Sequence, residues 1–123
     1  MKYRTIKDFN LRGKKVLLRL DLNSEVSKGK VVDGERIREG AKSVKKLKRK
    51  GAKIVIIAHQ GRKGDNDFLG LKQHSRIFNK YTKIKFVEDI IGKKAIDEIN
   101  SLKDGEALLL ENVRFLDDEM KDE

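Results

Sequence analysis

The spacing between short apolar runs limits this chain's fold more than any other feature. The run KIVIIA (53–58) puts five apolar residues together with no polar residue on either face, as in a strand covered on both sides. Three further runs have strand character: KKVLLRL (14–20), IKFV (84–87) and EALLLE (106–111). Stretches of helical period separate them. GERIREGAKSVKKLKRKG (34–51) places apolar residues at 37, 41, 44 and 47, LKQHSRIFNKY (71–81) places Leu71, Ile77, Phe78 and Tyr81 on one side, and KKAIDEINSL (93–102) is a shorter pattern of the same kind. Asp33 is the expected N-cap of the first helix, and Gly51 the residue that ends it. The order β-α-β-α-β-α-β predicts a three-layer α/β fold. Its mainly parallel sheet is joined by right-handed crossovers and carries helices on both faces.

A net charge of +10 raises the question of a nucleic-acid partner. Six of the thirty basic residues lie in KSVKKLKRKG (42–51), on the helix side opposite Ile37, Ala41, Val44 and Leu47. A solvated helix face accounts for them, and no aromatic residue interleaves to stack a base. A basic polyanion or nucleic-acid-binding module therefore stands as the second reading, with nucleic acid disfavoured. The chain has no cysteine, which excludes disulfides and thiolate chemistry. No apolar stretch is long enough to span a membrane and the first ten residues lack a signal-peptide core, so a cytoplasmic protein without a membrane partner is expected. Neither G-x-x-x-x-G-K-[ST] nor G-x-G-x-x-G occurs, and His59 and His74 are too isolated to define a metal site.

In a parallel sheet every strand ends at the same edge, and ligands bind there. The first strand is followed by Asp21 and Asn23, and then by a helix whose first turn carries Arg36. The second strand is followed by His59 and Arg62, and the fourth by Arg114. Alone, each has an ordinary explanation: an exposed helix arginine, a turn-shaping Asp or Asn, a packing histidine. Their joint placement points to a pocket for a small, multiply charged anion that also bears a hydroxyl. Guanidinium groups bind phosphate or carboxylate bidentately, and Asp21 can accept from a hydroxyl or hold an arginine.

The same residues carry a resemblance to the phosphoglycerate kinase family. LLRLDLNS resembles the family's R-V-D-F-N-V-P segment and GERIRE its D-x-R-I-x segment. GAKIVIIAHQGR is similar to G-A-K-V-x-L-x-S-H-L-G-R-P, and ALLLENVRF to L-L-L-E-N-[LV]-R-F. Order and spacing agree along nearly the whole chain. The Ala-His-Gln-Gly-Arg version and the DFLGLKQHS that follows look most like archaeal members. Ser24-Glu25 stands where the pattern has Val-Pro, Gln60 where it has Leu, and Lys63 where it has Pro. These departures bear on loop rigidity and remove no ligand-binding side chain.

The resemblance implies a glycolytic or gluconeogenic phosphotransferase that moves a phosphoryl group reversibly between ATP and 3-phosphoglycerate. Residues 1–123 are then expected to be the Rossmann-like N-terminal, 3-phosphoglycerate-binding domain, truncated at its C-terminal end and inactive alone. Mg-ATP or Mg-ADP would bind a lobe absent from this chain, so no cofactor or metal is expected here. By resemblance, Asp21 and Asn23 contact the hydroxyl and carboxyl end of the substrate, and His59, Arg62 and Arg114 hold its phosphate. Arg36 is the catalytic arginine, stabilising the phosphoryl group in flight. Gln60 and Gly61, in the same segment, complete the expected substrate-binding set. A truncated sheet also exposes an edge open to pairing with another copy.

Overall fold

The computed structural model describes residues 10–61 and 64–115. In chain order the elements are β1 (Lys15–Arg19), β2 (Val26–Ser27), β3 (Lys30–Val31), α1 (Glu35–Arg49), β4 (Lys53–Ile57), α2 (Lys72–Phe78), β5 (Lys85–Val87), α3 (Lys93–Asn100) and β6 (Ala107–Leu110). Strands β1, β4, β6 and β5, in that order, form one sheet, parallel throughout. The inner strands β4 and β6 are apolar on both faces because helices lie on both faces. The edge strand β1 alternates: Val16 and Leu18 pack inward, whereas Leu17 is 67% exposed.

Helices α1 and α2 cover one face, joining Ile37, Val44, Leu47 and Phe78 to Ile54, Ile56 and Leu109. Helix α3 and the turn after it cover the other face beneath β4, β6 and β5, where Ala95 and Leu102 join Val55, Val87, Leu108 and Leu110. The fold is the expected three-layer α/β architecture, with each buried Ile or Leu contributing roughly 1.5–3 kcal/mol relative to exposure. No helix among the described residues is long and apolar enough to cross a membrane.

Helix α1 begins at Gly34 without a side-chain cap, so Asp33 is not the N-cap. Its carboxylate is engaged elsewhere, accepting a 2.6 Å hydrogen bond from the Tyr81 hydroxyl. Glu35 in the first turn and Lys46, Lys48 and Arg49 in the last complement the helix dipole instead. At the other end Gly51 takes φ +76°, with Gly51 N–H donating to Lys48 O (2.9 Å) and Ala52 N–H to Leu47 O (3.2 Å). This left-handed termination turns the chain directly into β4. A Cβ at Gly40 would lie 3.1–3.4 Å from Leu20, Leu22 and Phe78, so α1 packs close against the end of β1 and carries its first turn to the β1–β2 loop.

Candidate functional site

The carboxyl ends of β1, β4 and β6 are stitched side by side beyond the strands themselves. Leu20 N–H donates to Ile57 O (3.0 Å) and Val113 N–H to Ala58 O (3.1 Å). The middle segment, 58–61, is the hub. Asn112, fully buried, donates through Nδ2 to Gln60 O and to Leu69 O, both at 2.8 Å. Arg114 Nη1 donates to Gly61 O at 3.1 Å. The Phe115 ring meets Phe68 edge-on with centroids 4.8 Å apart, which pins the segment after β6 against the loop after β4. Glu111 Oε1 accepts from Leu71 N–H at 2.8 Å, tying the start of α2 to the same hub.

On the β1 side, Asp21 Oδ1 accepts from Asn23 N–H (3.3 Å), and Asn23 Oδ1 accepts from Gly61 N–H (2.8 Å). Arg36 Nη1 reaches both Asp21 Oδ1 (3.3 Å) and Asn23 O (2.9 Å). The Asp21–Arg36 pair is 63% and 54% exposed, so it orients the guanidinium while adding little stability. Two shallow hollows flank Arg36 and share Glu35. One, of about 370 Å³, is bounded by Leu20, Asp21 and Gly40, and the other, of about 490 Å³, by Asn23, Ser24 and Asp67.

His59 reports the field at this edge. Burial lowers its pKa most, followed by the cationic Arg114; Asp21 opposes the shift, and Arg19 and Arg36 add to it. Three guanidinium groups from β1, α1 and the segment after β6 therefore act on one imidazole. Another hollow, of about 600 Å³, sits among Lys48, Lys83, Lys85 and Lys103 at the opposite end of the sheet, where the strands begin.

Of the residues expected from the sequence, Asp21, Asn23, Arg36, His59, Gly61 and Arg114 lie together at this edge, and Arg62 lies outside the described residues. Gln60, expected among the ligand contacts, is fully buried with both carboxamide atoms bonded to protein, so it belongs to the scaffold. Gly61 likewise spends its N–H and C=O on Asn23 and Arg114. At φ +70°, a Cβ on Gly61 would lie 2.4 Å from Asp67 O, so the loop closes only around a glycine. Sequence reasoning missed Arg19, hidden as the last residue of a strand, and the tethers Glu111 and Asn112. The signal for those two was the LLLENVRF segment itself. Among the described residues no three His, Cys, Asp or Glu side chains cluster to hold a metal, and none is assigned one.

Comparison with known proteins agrees along the chain. The family model described as phosphoglycerate kinase matches residues 6–123. The curated phosphoglycerate kinase of Sulfolobus acidocaldarius is 48% identical over 120 residues, covering 94% of this chain and 29% of that protein. Its counterpart from Methanothermobacter thermautotrophicus is 43% identical over 123 residues, covering 97% of this chain and 30% of that protein. The crystal structure of phosphoglycerate kinase from Pyrococcus horikoshii superposes with a TM-score of 0.85 at 37% identity, covering 89% of this chain and 28% of that one. This chain thus spans a little under a third of the length of the relatives it matches. Agreement of this extent, over the same strand ends that gather the arginines, shows that the chain belongs to the phosphoglycerate kinase family.

Proposed function

We propose that this chain supplies the 3-phosphoglycerate half-site of a cytoplasmic glycolytic or gluconeogenic phosphoglycerate kinase. Residues 1–123 form part of its N-terminal domain. The observation that carries this reading is the hydrogen-bonded chain Arg36–Asp21/Asn23–Gly61–Arg114, which holds two guanidinium groups and the Asn23 amide at one sheet edge beside His59. In the reaction a carboxylate oxygen of 3-phosphoglycerate attacks the γ-phosphorus of ATP while the bond to the ADP oxygen breaks, giving 1,3-bisphosphoglycerate. Such a transfer needs positioning and charge neutralisation and no protein nucleophile. Arg36, steadied by Asp21 and Asn23 O, is placed to neutralise charge on the moving group. Arg114, His59 and, by resemblance, Arg62 hold the substrate phosphate. Asn23 uses its oxygen on Gly61, which leaves its Nδ2 to donate to the substrate. The Mg-nucleotide belongs to protein outside this chain, and closure of that part over the site would exclude water. The outer edge of β1 has no pairing strand among the described residues and exposes Leu17, which supports association with a second copy.

A chemical-shift titration of the chain with 3-phosphoglycerate tests the half-site. We expect shifts at Asn23, Arg36, His59, Gly61 and Arg114, with a Kd on the order of millimolar and about tenfold weaker binding for Arg36→Ala. A response confined to the lysine face of α1 and falling steeply with salt would replace this reading with general polyanion binding.

A further inference from the structure

His74 lies on α2, fully buried, away from the residues that bound the two hollows. Its protonation can be deduced from Gln60. Ser24 N–H only donates, so the carboxamide atom it meets at 2.8 Å is the oxygen. Ser24 O and Asp67 O only accept, so the atom they meet at 2.9 and 3.2 Å is the nitrogen. That same oxygen lies 2.8 Å from His74 Nε2, so the imidazole carries its proton on Nε2 and donates it. Nδ1 is a buried lone pair with no partner among the described residues.

Gln60 in turn acts as an extra rung beyond the β1–β4 ladder, which ends with Arg19 opposite Ile57. It grips the N–H and C=O of Ser24 together. The next residue along makes the next link, Gly61 N–H to Asn23 Oδ1, and Asn23 O receives Arg36. If the carboxamide turned over, it would set donor against donor at Ser24 N–H and acceptor against acceptor at Ser24 O. The His74 donor favours one orientation only.

We propose that His74 is a positioning residue for the anion site: through Gln60 it locks the 21–24 loop to the 59–61 loop, so that Asn23 and Arg36 are set before the ligand arrives. As a role in ligand binding, this rests on the half-site reading above. The loops need such a lock. Glu25 and Lys63 stand where the family pattern has proline, and Gln60 stands where it has leucine, so a polar cross-link takes the place of ring rigidity. Burial pushes the His74 pKa down to about 4, which keeps the donor form neutral throughout the physiological range.

The test uses the 123-residue chain with His74→Leu, His74→Gln, and His74→Leu combined with Gln60→Leu. Amide hydrogen exchange at Ser24 and Gly61 is measured without ligand, and 3-phosphoglycerate affinity by titration. His74→Leu is expected to speed exchange at both amides and weaken binding about tenfold. His74→Gln, which can present a donor at the same reach, restores both. The double variant removes the His74–Gln60 pair but also leaves Ser24 N–H, Ser24 O and Asp67 O without their carboxamide partner, so it stays destabilised and keeps the weak binding. Wild-type exchange and affinity in a folded His74→Leu or double variant would overturn the proposal. If the wild-type chain does not bind 3-phosphoglycerate, the half-site reading fails; the exchange arm still decides whether the loop lock exists.

Discussion

Burial lowers the pKa of both histidines, yet their surroundings prepare them for different outcomes. His59 is partly exposed and faces Arg114, Arg19 and Arg36, so an arriving phosphate would offset those cations and draw a proton onto the ring. His74 has no such opening. Its pKa near 4 lies below the value of 6.5 expected unfolded, so the unfolded chain binds the extra proton first as pH falls. Stability must therefore rise with pH between about 4 and 6.5. From this residue alone, unfolding free energy should be about 2 kcal/mol lower at pH 5 than at pH 7. Urea titrations at the two pH values check this, and His74→Gln should flatten the difference. Asp89 adds a separate acid dependence at lower pH. The Ala95 N–H, at 2.9 Å, is the main cause of its lowered pKa, followed, after the opposing effect of burial, by the N–H groups of Ile90 and Gly92.

Among the elements, loop geometry is more demanding than the strands it joins. The loop after β4 folds back so tightly that Gly61→Ala must drive a methyl group into the Asp67 carbonyl. We expect a loss of about 2–3 kcal/mol, with the Gly61 and Asn23 amide resonances displaced while those of α3 stay in place; a thermal melt and one heteronuclear spectrum would show it. Period made the main strands and helices legible: continuous apolar runs for β4 and β6, and the 37, 41, 44, 47 spacing for α1. The β2–β3 hairpin was not legible, because two-residue strands have no period. Its turn also places Lys28 at φ 52°, a position that lysine does not advertise. Helix α2 stops at Phe78 although the apolar pattern continues to Tyr81, whose hydroxyl is drawn to Asp33. At the site, the charged residues could be read from where strands end. The tethering roles of Gln60, Asn112 and Glu111 could not, even though the LLLENVRF segment marks the last two, since their partners lie 36, 52 and 40 positions away.

For the whole molecule, the two faces of the sheet are unequally covered. Helix α3 shields its face over β4, β6 and β5, while Leu17 on β1 stands exposed beside an edge with no pairing strand among the described residues. Leu17→Lys puts a charge where strand pairing or apolar contact would occur. Sedimentation should show the parent chain associating with rising concentration and the variant remaining monomeric; equal behaviour would remove the edge as the cause. Strand order was also beyond the sequence, because a helical crossover does not say how many strands it passes over. Here the connection from β4 to β5 passes the place that β6 later fills. During translation β5 therefore leaves the ribosome before the strand that holds it, and must wait about twenty residues for a neighbour. Until Ala107–Leu110 emerges, the nascent chain can close only its first β-α-β unit, and the arginine rim is complete only when Arg114, just beyond those four residues, has followed them out.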